Sequence, residues 1–335
     1  MNNKHVFGID LGTNNLKIYS RLGEKIYIEK NIIAIKNKDI LFAYGDSAYD
    51  MFEKAPANIK ISFPLINGVI ADIHNMRILL ASFIQMITKG NMKPAEYYIS
   101  IPTDITEVEK RAFYDLIKDS NIKAKKIYLI DKAIANGIGL DIDVKNSQGV
   151  LIVDVGYNTT EISILSLGGI VLSKLIKTGG QKFDESICGV IRRQFNILIG
   201  NRTAENLKIL LSSTPTMNET EVVYGRDLVT GLPIEKEINT DVVNEALEFN
   251  YNVIIDNIKV ILERTPPELA ADIYRRGVYL TGGASQTTNL ADLISKGTGL
   301  KVNTTENPIE TVAIGLAKAI KDPHYKSILY TNDKR

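Results

Sequence analysis

The chain has 335 residues, of which 44% are hydrophobic and 24% are charged. This composition is typical of a globular protein with a sizeable core, and it excludes a disordered or fibrous chain. The 40 basic and 39 acidic residues leave a formal net charge of +1, which gives no long-range attraction to a polyanion. The length predicts two domains, and nucleic acid is not expected as a partner.

The sequence features that bear on the compartment all favour the inside of the cell. No window approaches the run of about 18 apolar residues that a membrane-spanning helix requires. The N-terminal residues contain no apolar stretch of signal-peptide length. The single cysteine, Cys188, is flanked by apolar residues and is expected to pack as a small core side chain. We therefore expect a protein of the reducing cytoplasm.

Strand and helix patterns alternate along the first half of the chain. Thr106 precedes Glu107 and Glu109 and is expected to cap the second of two helices. Alternation in this order favours parallel strand pairing in a sheet that helices cover. The predicted strands are 6–9, 16–20, 25–28, 32–35, 97–101 and 126–130, and the predicted helices are 77–87 and 107–117.

The strand pattern of the N-terminus recurs from Gly149 onward. Asp10 and Asp154 stand at the same point of the two copies, 144 residues apart. A spacing of one domain length favours an internal duplication. From the second copy to the end, the predicted elements are strands 150–155, 161–166 and 170–176, helices 184–199 and 203–211, a strand-rich insertion over about 214–238, a helix 241–264 and a strand 278–281.

Three turns that follow buried strands combine glycine with small polar residues, and they begin at Asp10, Asp154 and Thr281. Backbone N–H groups in such turns can surround phosphate oxygens, because glycine permits close approach and positive φ. A carboxylate repels phosphate, so Asp10 and Asp154 are predicted to hold the water shell of a phosphate-bound Mg²⁺. One such turn also closes many ordinary hairpins, and it is the symmetric pair with a third turn that favours a phosphate site.

The whole chain resembles the actin, sugar-kinase and heat-shock-chaperone ATPase superfamily and, within it, the MreB family of bacterial actin homologues. The similarity extends from about Phe7 to Ala319. The runs 225–233 and 263–272 are similar to MreB rather than to its chaperone or kinase relatives. Beyond the phosphate turns, the other matching runs are 64–72, 105–111, 164–171 and 199–205.

This resemblance implies an α/β fold of the actin-like, ribonuclease-H-like type, duplicated into two domains. Each domain would hold a mixed five-stranded sheet with helices, and each would carry a smaller inserted subdomain. Nucleotide would lie in the cleft between the domains, and polymerisation would close that cleft. The implied boundaries are 1–148 for domain I (IA at 1–30 and 76–148, IB at about 31–75), 149–320 for domain II (IIA, with IIB inserted at about 181–245) and 321–335 for a C-terminal tail.

The resemblance also implies the residues of an ATP and Mg²⁺ site. Asp10 and Asp154 match the two carboxylates on the Mg²⁺ side, and Thr159 matches the threonine that helps to hold the attacking water. Glu205 and Lys208, one helical turn apart, match the pair that contacts ribose and adenine. The other nucleotide-binding matches are Gly12, Thr13, Asn14 and Asn15 in the first loop, Gly156, Tyr157, Asn158 and Thr159 in the second, Gly180 and Asp184 at a helix start, and Gly282, Gly283 and Ala284 in the adenosine turn.

The chain departs from the family at the catalytic position. Family members carry Glu-Glu-Pro after the strand that matches 127–130, and the second glutamate orients the water that attacks the γ-phosphate. Here the run is Asp131-Lys132-Ala133. An ammonium cannot accept a proton from water, so hydrolysis is expected to slow by roughly 10²–10⁴. Thr159 keeps its hydroxyl, so a weak ATPase remains the expectation. Asp131 is interpreted as the N-cap of the next helix or as a replacement base.

Further departures lie in the nucleotide loops. The second phosphate loop has Tyr157 and Asn158 where the family has glycine, which restricts the approach of the backbone to phosphate. Ala284 replaces the third glycine of the adenosine turn. Gln181 and Lys182 replace an acidic pair of the family, and this change favours a bound anion. We therefore expect a site that holds nucleotide and turns it over poorly.

The leading hypothesis is a cytoskeletal subunit that binds ATP and Mg²⁺ and assembles with itself into paired protofilaments. Such filaments would support cell shape, or motility based on it, beneath the cell membrane. A nucleotide-locked scaffold that joins filaments of related MreB paralogues is the alternative, and a small-molecule kinase of the same superfold is disfavoured because no substrate base is evident. Membrane contact is left open, because the loop 89–94 offers only Met92 as an apolar tip and the stretch 323–335 is interpreted as a frayed polar tail.

Overall fold

The computed structural model describes residues 5–37, 40–212, 219–287 and 289–331. The chain divides into two compact units. The first unit holds the chain up to Ile152, the segment Ser163–Ser173 and the chain from Ile309 onward, and the second holds Val153–Ile162 and Lys174–Pro308. The domain and subdomain boundaries given above stay a prediction.

The helices and strands of the described residues follow the predicted order along the chain. The strands are β1 Val6–Leu11, β2 Asn15–Ser20, β3 Lys25–Lys30, β4 Ile33–Lys36, β5 Ile40–Tyr44, β6 Ile59–Ser62, β7 Leu65–Ile66, β8 Val69–Ile70, β9 Ala95–Ile101, β10 Ala124–Asp131, β11 Val150–Val155, β12 Thr160–Ser166, β13 Gly169–Ile176, β14 Ile197–Leu198, β15 Thr220–Asp227, β16 Pro233–Asn239, β17 Val278–Thr281 and β18 Val302–Asn303. The α-helices are α1 Asp46–Tyr49, α2 Ile73–Ile87, α3 Glu107–Lys118, α4 Lys132–Gly139, α5 Gly180–Phe195, α6 Asn201–Leu211, α7 Thr240–Glu263, α8 Pro267–Arg276, α9 Leu290–Thr298 and α10 Thr311–Lys321, and short 3₁₀ helices cover Gly283–Gln286 and Pro323–Ile328.

A five-stranded mixed sheet forms the centre of the first unit, in the order β10-β9-β1-β2-β3. β1 pairs antiparallel with β2 and parallel with β9, and β9 pairs parallel with β10. Phe7, Ile9 and Leu11 of β1 share a core with the buried faces of α2 and α3. Between them, Gly8 faces α10, where an added Cβ would lie 2.9 Å from the Cβ of Leu316. The strand is therefore buried on both faces, as in a sheet covered by helices.

A second five-stranded sheet has the order β13-β12-β11-β17-β18. Taken strand by strand, this order repeats that of the first sheet when the first is read from β3 to β10. Asp10 in β1 and Asp154 in β11 thus occupy corresponding strands of the two sheets. The predicted duplication and the α/β fold with a mixed five-stranded sheet in each half are confirmed.

Two three-stranded sheets and the two-stranded sheet of β7 and β8 accompany the two large sheets in the described residues. Strands β5, β4 and β6 form one, and Ile32, Ala34 and Ala48 are buried beside it. Strands β14, β15 and β16 form the other. β15 and β16 lie in the predicted strand-rich insertion over about 214–238, whereas β14 precedes it. Residues 214–218 of that insertion lie outside the described residues.

Helix ends follow the predictions in some places and not in others. Thr106 caps α3 through a complete capping box with Glu109, as predicted. The helix predicted over 184–199 is wrong at both ends, because α5 begins at Gly180 and ends at Phe195. It ends there because Asn196 adopts a left-handed conformation with φ 57°, after which β14 pairs with β15.

The C-terminal stretch is bound to the first sheet. Tyr330 forms an antiparallel bridge with Leu129 of the edge strand β10, with N–O distances of 2.9 and 3.1 Å. The ring of Tyr330 lies beneath the ammonium of Lys110, 4.3 Å from it. The expectation of a frayed tail is therefore wrong as far as Thr331, and residues 332–335 lie outside the described residues.

Within the part of the chain that the structure describes, no helix has the length and apolar character needed to cross a membrane. Met92, the apolar residue of the loop 89–94, packs against the core of the first unit. Its side chain is therefore not presented as an apolar tip.

Candidate functional site

The first predicted phosphate loop is the turn between β1 and β2. A Cβ at Gly12 would lie 2.5 Å from the carbonyl oxygen of Asn15, so only glycine fits there. Asn31 is fully buried and clamps the turn, because its Nδ2 donates to the Gly12 carbonyl at 2.9 Å and its backbone N–H donates to the Asn14 carbonyl at 2.8 Å. Thr13 is half-buried at the tip of the turn. Sequence reasoning missed Asn31, since nothing in its local pattern marks a contact with a turn 17 residues away.

Asp10, the predicted Mg²⁺-side carboxylate of this unit, is buried and held at both oxygens. Lys17 Nζ lies 2.7 Å from Oδ2, and Ser100 Oγ donates to Oδ1 at 3.1 Å. The exposed fraction of the side chain is 11% for Lys17 and 2% for Asp10. Asp10 and Lys17 are direct partners in the β1–β2 register. The hairpin pattern could have revealed this cross-strand pair, which sequence reasoning missed.

The second predicted loop follows β11 and packs against the start of α5. The Gly180 N–H donates to the Gly156 carbonyl at 3.0 Å, and the Gln181 N–H donates to the Tyr157 carbonyl at 2.7 Å. The Asn158 amide donates to the side chain of Gln181. The loop is closed on itself, since the Gly156 N–H donates to the Thr159 carbonyl at 2.9 Å.

Four predicted site residues of the second unit meet around Gly180. A Cβ on Gly180 would lie 3.4 Å from Lys208 Nζ, 3.4 Å from the ring of Tyr157 and 3.6 Å from the Cβ of Ala284. Lys208 is buried and donates to Asp184 Oδ1 at 2.6 Å and to the Gly180 carbonyl at 3.3 Å. The predicted residues from the second loop, α5, α6 and the third turn therefore form one cluster. Glu205 lies one helical turn before Lys208 and is half-buried.

The third turn packs against Asp154. Gly282 has φ 91°, and a Cβ there would lie 2.3 Å from Asp154 Oδ1 and 2.4 Å from the Val155 carbonyl oxygen. Its N–H donates to the Pro308 carbonyl at 3.1 Å. Gly283 begins the 3₁₀ helix that holds the buried Ala284. Glycine at 282 is thus required both by its backbone conformation and by the buried carboxylate.

Asp131 and Lys132 join β10 to α4. Asp131 is the N-cap residue of α4, as predicted, but its side chain makes no capping hydrogen bond. Its carboxylate instead accepts a hydrogen bond of 2.8 Å from Tyr330 Oη. Burial raises the pKa of Asp131 above its ordinary value, and the hydrogen bond from Tyr330 and the charge of Lys110 oppose that rise. Burial raises the pKa of Tyr330 as well. Lys132 begins α4 and is half-buried.

The fit of Mg²⁺ differs between the two predicted carboxylates. The predicted role of each carboxylate is to hold the water shell of a phosphate-bound Mg²⁺. Among the described residues no group of three or more His, Cys, Asp or Glu could hold a metal ion directly. Asp154 is a buried carboxylate beside a glycine turn and fits that role. Asp10 does not fit it, because its charge is already paired with the Lys17 ammonium.

The family model described as MreB/Mbl protein matches residues 4–327. The cell shape-determining protein Mbl of Bacillus subtilis (strain 168) is 38% identical over 312 residues, which cover 92% of this chain and 93% of that protein. MreB 5 of Spiroplasma citri, solved with AMPPNP and with ADP, is 32% identical with a TM-score of 0.91; the AMPPNP structure covers 96% of this chain and 97% of its own.

A more distant structure, a MamK double helical filament, is 23% identical with a TM-score of 0.79, over 96% of this chain and 99% of its own, and shows likeness of fold. The duplicated sheets with a glycine turn after the first strand of each define an actin-like protein. Within that class, the chain belongs to the MreB/Mbl family.

Proposed function

We propose that this chain is a nucleotide-binding cytoskeletal subunit that assembles into filaments and supports cell shape in the cytoplasm, beneath the cell membrane. The observation that carries the proposal is the matched pair of glycine turns, each of which follows a buried aspartate in sheets of the same strand order. The names of the relatives support it, since Mbl is a cell shape-determining protein, MreB 5 was solved with AMPPNP and ADP, and MamK forms a double helical filament.

The predicted turns have different proposed roles in holding ATP or ADP: two would contact the phosphates and the third would contact the adenosine. Backbone N–H groups of the first turn and of the turn at Gly156 would contact phosphate oxygens. Asp154 would hold the water shell of Mg²⁺, which neutralises phosphate charge when it is bound. The turn at Gly282 and Glu205 would contact the adenosine, and the ion pair of Lys208 with Asp184 would fix α6 against α5 for that purpose.

Slow hydrolysis is part of the proposal. Lys132 stands where the family has its water-orienting glutamate. The neighbouring Asp131 carboxylate accepts a hydrogen bond from the Tyr330 hydroxyl. Thr159 supplies a hydroxyl but no strong base. Polymerisation would therefore depend on nucleotide binding more than on turnover.

The test measures phosphate release and sedimentation of the purified protein with ATP, ADP, AMPPNP or no nucleotide. Lys132→Glu is expected to raise phosphate release about 10²-fold, because it restores a carboxylate, and Thr159→Ala is expected to lower it. Lys126→Glu is the control, since it makes the same charge change at an exposed position of the same strand, β10. Parent release that already equals that of Lys132→Glu would overturn the slow-site proposal.

Sedimentation separates the two cytoskeletal alternatives. Pelleting of the chain alone with ATP or AMPPNP supports a self-assembling subunit. Pelleting only in mixtures with a related MreB protein supports a co-polymerising scaffold. Failure to pellet in either sample would overturn the filament proposal.

A further inference from the structure

The ion pair between Lys17 and Asp10 is buried where a ligand is proposed to bind. Removing both charges from water costs free energy that their attraction barely repays, so such a pair is weak evidence for a stabilising role. The pair lies directly across the β1–β2 hairpin, with 2.7 Å between Nζ and Oδ2. Its place beside the first loop therefore needs a reason other than fold stability.

The surroundings of the ammonium indicate that reason. An ammonium has three N–H donors. Among the described residues, the Lys17 ammonium has one hydrogen-bond acceptor, Asp10 Oδ2. Nζ lies 3.4 Å from the point where a Cβ on Gly12 would stand, so it is in contact with the turn itself. Oδ1 of Asp10 is taken by Ser100, which fixes the carboxylate and, through it, the lysine.

The buried lysine of the second unit, Lys208, differs from Lys17 in its hydrogen-bond acceptors. Lys208 has two acceptors, Asp184 Oδ1 and the Gly180 carbonyl, so it donates more hydrogen bonds within the protein than Lys17 does. Lys17 is paired with its aspartate and keeps two donors for another acceptor. Phosphate oxygen is the acceptor that a glycine turn with a buried cation would recognise.

We propose that Lys17 contacts a phosphate group of the bound nucleotide. At the first loop its ammonium then supplies the positive charge that was expected to come from a Mg²⁺ ion held by Asp10. This inference rests on the proposed nucleotide binding and deepens it. A second cation held by Asp10 would face the ammonium at short range and would find the carboxylate charge already neutralised. The chain should therefore hold the phosphates of ADP partly without a divalent cation, and lose that ability when Lys17 is removed.

The experiment measures Kd for ADP and for adenosine, each with Mg²⁺ and with EDTA. The parent is compared with Lys17→Met, Lys17→Arg and the control Lys318→Met, which breaks a more exposed ion pair with Asp141. We expect Lys17→Met to weaken ADP binding in EDTA by about tenfold or more, with adenosine unchanged. Lys17→Arg should retain part of the affinity, and Lys318→Met all of it.

Folding is controlled by a second variant. Lys17→Met alone leaves a buried carboxylate without its partner, so the double variant Asp10→Asn/Lys17→Met removes both charges, and Tm is recorded for every variant. Equal loss of ADP and adenosine binding, or unchanged ADP binding in a folded variant, would overturn the phosphate role. A folded parent that binds neither ligand would instead overturn the proposed nucleotide function, and this inference with it.

Discussion

Close backbone approach is the recurring feature of the candidate site at the scale of single residues. At Gly12, Gly179 and Gly282, an added Cβ would lie 2.5 Å or less from an oxygen of another residue. Glycine at these positions lets a turn pack directly on a strand or on a neighbouring loop, which places backbone N–H groups where a phosphate could reach them. The buried side chain of Asn31 holds the first turn through the Gly12 carbonyl, and the buried carboxylate of Asp154 lies against the turn at Gly282.

Gly282→Ala tests the tightest of these contacts in the second unit. The alanine would have to adopt φ 91° and would meet the Asp154 carboxylate and the Val155 carbonyl, so we expect a loss of at least about 2 kcal/mol in the free energy of unfolding. Gly299→Ala is the matched control, because Gly299 has φ 71° with no atom within 4 Å of an added Cβ, and should cost about 1 kcal/mol. Urea unfolding measures both, and equal losses would show that the contact with Asp154 contributes nothing.

At the scale of elements, the C-terminal stretch and β10 depend on each other. β10 is an edge strand, and an unprotected edge invites pairing with other chains. The bridge of Tyr330 to Leu129 covers part of that edge, and the same tyrosine holds the Asp131 carboxylate at the start of α4. The C-terminal stretch thus fixes the segment in which the family has its catalytic glutamate.

The pKa of Asp131 gives this contact a pH dependence. Burial raises the folded-state pKa above the unfolded value of about 3.9, so the folded protein binds the proton more tightly. This contribution to stability is fully present below that unfolded value and is lost as pH rises through the raised folded value. Asp131→Asn has no proton to lose there, so its unfolding free energy should gain on that of the parent across this window. Urea unfolding at a series of pH values measures the difference.

Tyr330→Phe is the companion variant. Removing the hydroxyl removes a hydrogen bond that lowers the pKa of Asp131, so the pH window should move upward in this variant. Parallel pH profiles for the parent and for Asp131→Asn would show that the carboxyl does not titrate in this range. An unmoved window in Tyr330→Phe would show that the Tyr330 hydrogen bond does not stabilise the carboxylate.

The helix ends show which elements could be predicted from the sequence. The capping box at Thr106 was predictable because both of its partners lie within three residues. The hydrogen bond of the Asp131 side chain was not predictable, because its partner Tyr330 is 199 residues away. The early end of α5 was missed for a nearer reason, since the apolar pattern continues through Ile197 while Asn196 turns the backbone into β14. Local signals define elements, and distant partners decide what their terminal side chains do.

At the scale of the whole molecule, the duplication was predictable because both copies show the same sequence pattern of a strand, a turn and a second strand. The two sheet orders confirm it, and the glycine turns fall at corresponding places. What the repeat could not predict is where the copies differ. Lys17 pairs with Asp10 in the first, whereas a glycine turn covers Asp154 in the second. Such differences come from single side chains that periodicity and resemblance do not specify.

Binding should stabilise the whole chain, and Gly12→Ala tests that linkage. Nucleotide that binds the folded protein alone raises the unfolding free energy by about 2.7 kcal/mol at a free concentration of 100 Kd, and each tenfold loss of affinity removes about 1.4 kcal/mol of that gain. The new Cβ would lie 2.5 Å from a backbone oxygen, so the first loop must move and the gain from ADP should shrink. Gly189→Ala is the control, since α5 has space there, and it should keep the full gain on a more stable background. Thermal unfolding with and without ADP measures both variants, and an undiminished gain in Gly12→Ala would exclude the first loop from nucleotide binding.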